Sequence, residues 1–154
     1  MPKTSAGILL YRLTSTHNIE VLLVHPGGPF WKNKDAGAWS IPKGEVDEGE
    51  NPAATARREF TEELGHPAPE KLHDLGTIRQ KSGKVVHAFA AEGTLDPATI
   101  QSNTFPLEWP PKSGKYTQAP EVDRAAWFAF EAAAEKLNPA QVLILESLRS
   151  LLKQ

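Results

Sequence analysis

The apolar and polar positions of this chain fall into two periods. Ser5–Arg12 (SAGILLYR) and Ile19–His25 (IEVLLVH) are almost unbroken apolar runs rich in branched side chains. Runs of this length and kind predict strands covered on both faces. The polar stretch Thr14-Ser15-Thr16-His17-Asn18 between them predicts a hairpin or a longer turn. Leu72–Arg79 and Lys84–Ala91 predict two further strands around a Lys81-Ser82-Gly83 turn, with His87 a structural residue in mid-strand. Pro120–Phe128 reads as a turn into a strand. The helical period shows elsewhere. Ala53, Ala56, Phe60 and Leu64 form a stripe at steps of three, four and four, which predicts a core-facing helix face. Asn51-Pro52 supplies a start signal, Gly65 and Pro67 a stop, so the helix is expected over about Pro52–Leu64. Phe130–Leu137 is Ala-rich and helical. Pro139–Leu152 predicts another helix, capped by Asn138, with Val142, Leu145, Leu148 and Leu152 on one stripe and a structural role. Two segments lack either period: Pro26–Ala38, a loop by its Gly and Pro content, and Thr94–Ala119, expected as a long irregular loop.

Composition narrows the setting. The 154 residues, 40% hydrophobic and 23% charged, suit one domain spanning residues 1–154 with a substantial core. A net charge of −2 gives no bulk basic field, so neither nucleic acid nor a membrane surface is an expected partner. There is no cysteine, which excludes disulfides and thiolate metal sites. With no signal-peptide or membrane-span pattern at the N-terminus, a soluble cytoplasmic protein is expected.

The chemistry concentrates in Gly44–Gly65. Seven acids lie between Glu45 and Glu63. Glu59, Glu62 and Glu63 fall at i, i+3 and i+4, beside the apolar stripe, where like charges repel. Arg58 reaches Glu62 one turn on and relieves part of this. A solvated acidic face is one reading of such a cluster. A site for a hard divalent ion such as Mg²⁺, which prefers oxygen ligands, is the other. The spacing favours the second. Gly44 is followed after five residues by Glu50, then after seven more by Arg58-Glu59-Phe60, one residue, Glu62-Glu63, one residue and Gly65. This resembles the box of the Nudix hydrolases at every fixed position. The departure is His66, where that family usually has an apolar residue that packs the following loop.

The resemblance implies an α/β/α sandwich with a mixed sheet. It implies Glu59, Glu62, Glu63 and the Gly44 carbonyl as ligands of Mg²⁺, with Mn²⁺ a substitute. It implies Arg58 as orienting a carboxylate through an ion pair and Glu50 as pairing with Arg58 to steady the loop. One of the three glutamates, or Glu121, serves as general base. Glu121 lies ahead of a Trp-Phe pair, a layout familiar in Nudix domains, and otherwise reads as a surface acid. The implied reaction is hydrolysis of a P–O–P bridge in a nucleoside diphosphate linked to another group. Trp39, Pro42, Lys43 and Gly44 resemble the entry to the box in enzymes cleaving diadenosine polyphosphates, which makes a dinucleoside polyphosphate the first choice. A nucleoside triphosphate, ordinary or oxidised, is the second. It is suggested by Thr94–Ala119, whose residues resemble a bacterial subgroup of predicted nucleoside triphosphate pyrophosphohydrolases. A nucleotide sensor without turnover is the alternative of another class. Lys43, Trp31, Lys32, Trp109, Lys112 and Tyr116 are the candidate substrate contacts, as aromatics that stack a base and lysines that meet phosphate. For Trp31 and for the 94–119 residues, packing of the loop is an equal reading. The partner is a small nucleotide, the assembly a monomer or homodimer.

Overall fold

The computed structural model describes residues 3–152, so the first and last two residues of the expected 1–154 domain lie outside it. The order is β1 (Thr4–Leu13), β2 (Ile19–Pro26), β3 (Lys43–Glu45), α1 (Pro52–Leu64), β4 (His73–Arg79), β5 (Val85–Glu92), β6 (Thr104–Glu108), β7 (Tyr116–Pro120), β8 (Val122–Ala129), α2 (Phe130–Lys136) and α3 (Val142–Leu152). Short 3₁₀ turns occupy Pro97–Thr99 and Pro139–Gln141. Six strands form a mixed sheet in the order β4-β5-β1-β2-β8, with β3 paired to β1. The β1–β5 pairing is parallel and the others are antiparallel.

The continuous apolar runs of β1 and β2 are explained by what covers them. Ala6, Ile8, Leu10, Leu22 and Val24 pack with Ala56, Phe60 and Leu64 of α1. The alternate residues Leu9, Tyr11, Val21 and Leu23 pack with Phe130 and Ala133 of α2 and with Ile144, Leu145 and Leu148 of α3. Successive side chains of a strand point to opposite faces, so one sheet closes two cores. This is the expected α/β architecture, a mixed sheet between helices. His87 sits in β5 with Nε2 2.8 Å from an Asp74 carboxylate oxygen, its ring stacked on Phe89.

Residues 94–119 differ from the expectation of an irregular loop. β6 and β7 pair antiparallel from Thr104↔Pro120 to Glu108↔Tyr116, forming a separate two-stranded hairpin. β6 alternates over two positions only, with Phe105 and Leu107 half-covered on either side of the exposed Pro106, and β7 is exposed from Tyr116 to Gln118. Pro106 is tolerated because both strands of such a ribbon are edges. The C-terminal helix also starts later than its sequence pattern: the Asn138 side chain accepts from Ala140 N at 3.0 Å, capping a 3₁₀ turn before α3 begins at Val142.

Candidate active site

The site is built on α1. The Asn51 side chain accepts from Ala54 N at 2.8 Å, Pro52 occupies the first turn, and Gly65 closes the helix at φ 71°. These local signals fix both ends of the helix. The buried stripe Ala56, Phe60 and Leu64 then fixes its rotation. The carboxylates follow in a graded order of burial. Glu63 is only 7% exposed, Glu59 is mostly covered and Glu62 is half-exposed.

Arg58 ties the acids together. Its Nε and Nη2 donate to the two carboxylate oxygens of Glu50 at 3.1 and 3.0 Å. Its Nη1 donates to Glu59 at 3.0 Å and reaches Glu62 at 3.4 Å. Glu50 also accepts from the Thr55 hydroxyl at 2.6 Å. Arg58 first, then Thr55, holds the Glu50 carboxyl down to about 2. Arg58 is correspondingly held in its charged form, chiefly by Glu50. The loop before the helix is thereby clamped onto it by a two-point ion pair.

Strand β3 supplies the opposite wall. A Cβ built on Gly44 would lie 2.0 Å from the Glu59 carboxyl carbon and 2.1 Å from its nearer oxygen. Only glycine lets the backbone and this carboxylate approach so closely. Burial, then the charges of Glu59 and Glu121, pushes Glu63 up to about 9, while Lys43 opposes the rise. Burial, then Glu62, raises Glu59. Burial, then Glu62, raises Glu121. Lys43 is lowered by burial and partly restored by Glu63.

Glu121 arrives from the far side by a backbone relay. Asn103 N donates to the Glu62 carbonyl at 2.9 Å, and Glu121 N donates to the Asn103 carbonyl at 3.0 Å. Glu63, Glu121, Lys43 and Trp31 consequently line one cavity of about 260 Å³. Lys32, Trp109, Lys112 and Tyr116 do not line it. Lys32 is exposed on the Pro26–Ala38 loop. Trp109, Lys112 and Tyr116 sit at the outer end of the β6–β7 hairpin, where Tyr116 is 68% exposed. His66 keeps its loop in place by a polar contact, Nε2 to the Thr99 hydroxyl at 2.8 Å.

Among the polar lining residues the sequence reading singled out neither Ser40, Gln80 nor Gln141, and took Asn138 only as a helix cap. Gln141 is buried, accepts from Ile41 N at 3.0 Å and donates to the Ser40 hydroxyl at 3.0 Å. It pins the segment that leads into β3. Its signal was a lone amide just ahead of an apolar helical stripe.

Among the described residues no three acidic or imidazole side chains already converge into a metal cage. The donor set nevertheless suits a hard divalent ion. Carboxylates raised by burial and mutual repulsion are relieved by a cation, and the glycine leaves room for a carbonyl to face one.

The profile of the NUDIX domain matches residues 1–148, and the chain belongs to that family. Among curated proteins it is 28% identical over 144 residues to the 8-oxo-(d)GTP phosphatase of Mycolicibacterium smegmatis, covering 87% of this chain and 37% of that protein. It is 27% identical over 124 residues to the RNA pyrophosphohydrolase of Caulobacter vibrioides, covering 77% of this chain and 59% of that protein. The chain thus spans less than two thirds of the length of either relative. The fold resembles that of a C. elegans Ap4A hydrolase binary complex, with a TM-score of 0.66 and 22% identity over 97% of this chain and 98% of that one. Among the described residues no helix is long and apolar enough to cross a membrane.

Proposed function

We propose that this protein hydrolyses a phosphoanhydride bond in a nucleoside diphosphate linked to another group, with a dinucleoside polyphosphate as the substrate. The observation that carries this reading is the meeting of Glu63, Glu121 and Lys43 in one cleft, beside Glu59 and Glu62 held by Arg58. Glu59, Glu62, Glu63 and the Gly44 carbonyl would hold Mg²⁺, or Mn²⁺ in its place. Such an ion neutralises a diphosphate and makes a bound water more acidic.

The chain's own groups do the positioning. Arg58, braced by Glu50, keeps Glu59 and Glu62 from splaying apart. Lys43 offers the cavity a cation for phosphate oxygens, and Trp31 an aromatic face for a base. One of Glu59, Glu62, Glu63 and Glu121 takes the proton of the attacking water. Family membership supports the phosphoanhydride chemistry, and the fold shared with the C. elegans Ap4A hydrolase supports the dinucleotide. The relative that acts as an 8-oxo-(d)GTP phosphatase favours a nucleoside triphosphate as the second reading.

Incubation with Mg²⁺ and a small nucleotide panel tests this. Diadenosine tetraphosphate split to ATP and AMP is the expected outcome. Pyrophosphate released from a triphosphate supports the second reading. Tight binding of every nucleotide with turnover of none overturns both and leaves a sensor.

A further inference from the structure

A second cavity of about 530 Å³ adjoins the first. Gln80 and Asn138 line both. We propose that this groove, walled by Arg79, Lys81, Pro139 and Leu143, receives the far half of a two-ended nucleoside polyphosphate whose scissile bridge lies in the catalytic cleft. The inference rests on the hydrolase reading above and adds where the non-reacting half sits.

Size is the first argument. The cleft holds about 260 Å³, below the roughly 300–1,000 Å³ usual for small-molecule sites. A dinucleotide overfills it, and past the shared residues the space continues into a cavity about twice as large. Charge is the second. The cleft sets one cation, Lys43, against Glu63 and Glu121, whereas the adjoining groove has Arg79 and Lys81 and no acid in its lining. Among the described residues neither cation forms an ion pair; Arg79 donates only to the Gly83 carbonyl, at 3.4 Å. Two exposed cations beyond the metal-binding end suit the distal phosphates of a polyphosphate chain.

The third argument is apolar. Leu143 is 63% exposed, while Ile144, Leu145 and Leu148 of the same helix are buried. With Pro139 it forms a ledge beside the cations, fit for the flat face of a base. Both walls are set before any ligand arrives. Gln80 N donates to Lys84 O at 2.7 Å and Gly83 N to Gln80 O at 2.9 Å, closing the turn. Asn138 N donates to Trp39 O at 2.8 Å, fixing the other side.

The test is calorimetric binding, with Mg²⁺ present, of methylene-bridged and therefore uncleavable analogues of diadenosine tetraphosphate and of ATP. The wild-type chain is expected to prefer the dinucleotide by roughly tenfold. The double variant R79E/K81E should lose that preference while its Kd for the ATP analogue stays within about twofold, and Leu143→Ala should weaken the dinucleotide alone. No preference in the wild type, equal weakening of both ligands, or an unchanged preference in the double variant overturns the assignment. Because binding is read without turnover, a failure of hydrolysis counts against the proposed activity and not against the groove.

Discussion

A methyl group added at Gly44 would land 2.0 Å from the Glu59 carboxyl carbon, so Gly44→Ala must push that carboxylate or β3 aside. Displacement of a reacting group by about 1 Å can cost about a hundredfold in rate. The variant is expected to lose that much in kcat while keeping its circular dichroism spectrum; near-wild-type kcat would remove Glu59 from the site. Glu63 is the other residue on which much turns. Glu63→Gln keeps the volume and removes a carboxyl that burial, Glu59 and Glu121 hold protonated until it meets a cation. Turnover should fall by about a hundredfold or more. Without Mg²⁺ the variant should melt no lower than the wild type, and its advantage should grow as pH rises toward 9 and the wild-type carboxyl is forced to ionise among Glu59 and Glu121. A lower melting temperature in that comparison would show that Glu63 is held by attraction.

At the level of elements, α1 makes its own boundaries, and this decides what its cap can affect. Asn51→Ala removes the bond to Ala54 N and is expected to lower stability by about 1 kcal/mol in denaturant unfolding. KM should stay unchanged, because the Arg58–Glu50 pair still positions the acids. The same locality made this helix readable in the sequence: its cap, stripe and stop all lie within a few residues of one another. The β6–β7 hairpin was not readable, because the alternation of Phe105 and Leu107 spans too few residues, is broken by Pro106 and has no counterpart in Tyr116-Thr117-Gln118. Glu121 could be suspected from its place before Trp127 and Phe128. That Asn103 links it to Glu62 could not, since the link is made by backbone. The role of Gln141 was hidden for another reason: its partners Ser40 and Ile41 lie 101 and 100 positions away, and a spacing argument reaches only along one element.

For the whole molecule, the acids set how stability responds to pH and to metal. Glu63 rises from 4.5 to about 9 on folding, so between those values the folded chain holds a proton that the unfolded chain has lost. Stability from this group therefore falls as pH rises through that window. Glu50 works in the other direction: lowered to about 2, it contributes stability above 4.5 that is lost as pH falls toward 2. The metal-free protein should be most stable in the mildly acidic range. Mg²⁺ binds ionised carboxylates, so the rise in melting temperature that it produces should be larger at about pH 8.5 than at about pH 5.5. An equal rise at both would mean that the ion binds elsewhere.

The parallel pairing of β1 with β5, from Thr4↔Val85 to Tyr11↔Glu92, has a consequence for synthesis. Long-range parallel contacts form only after a large loop has closed, and here α1 lies inside that loop. A growing chain displays all of Gly44–Gly65 well before β5, the parallel partner of its first strand, has emerged. A fragment ending at Lys81 thus carries the entire acidic stretch on β1, β2 and β3 alone, without β5 or the segment that brings Glu121. Nascent enzyme should gain activity only once Glu92 has cleared the ribosome.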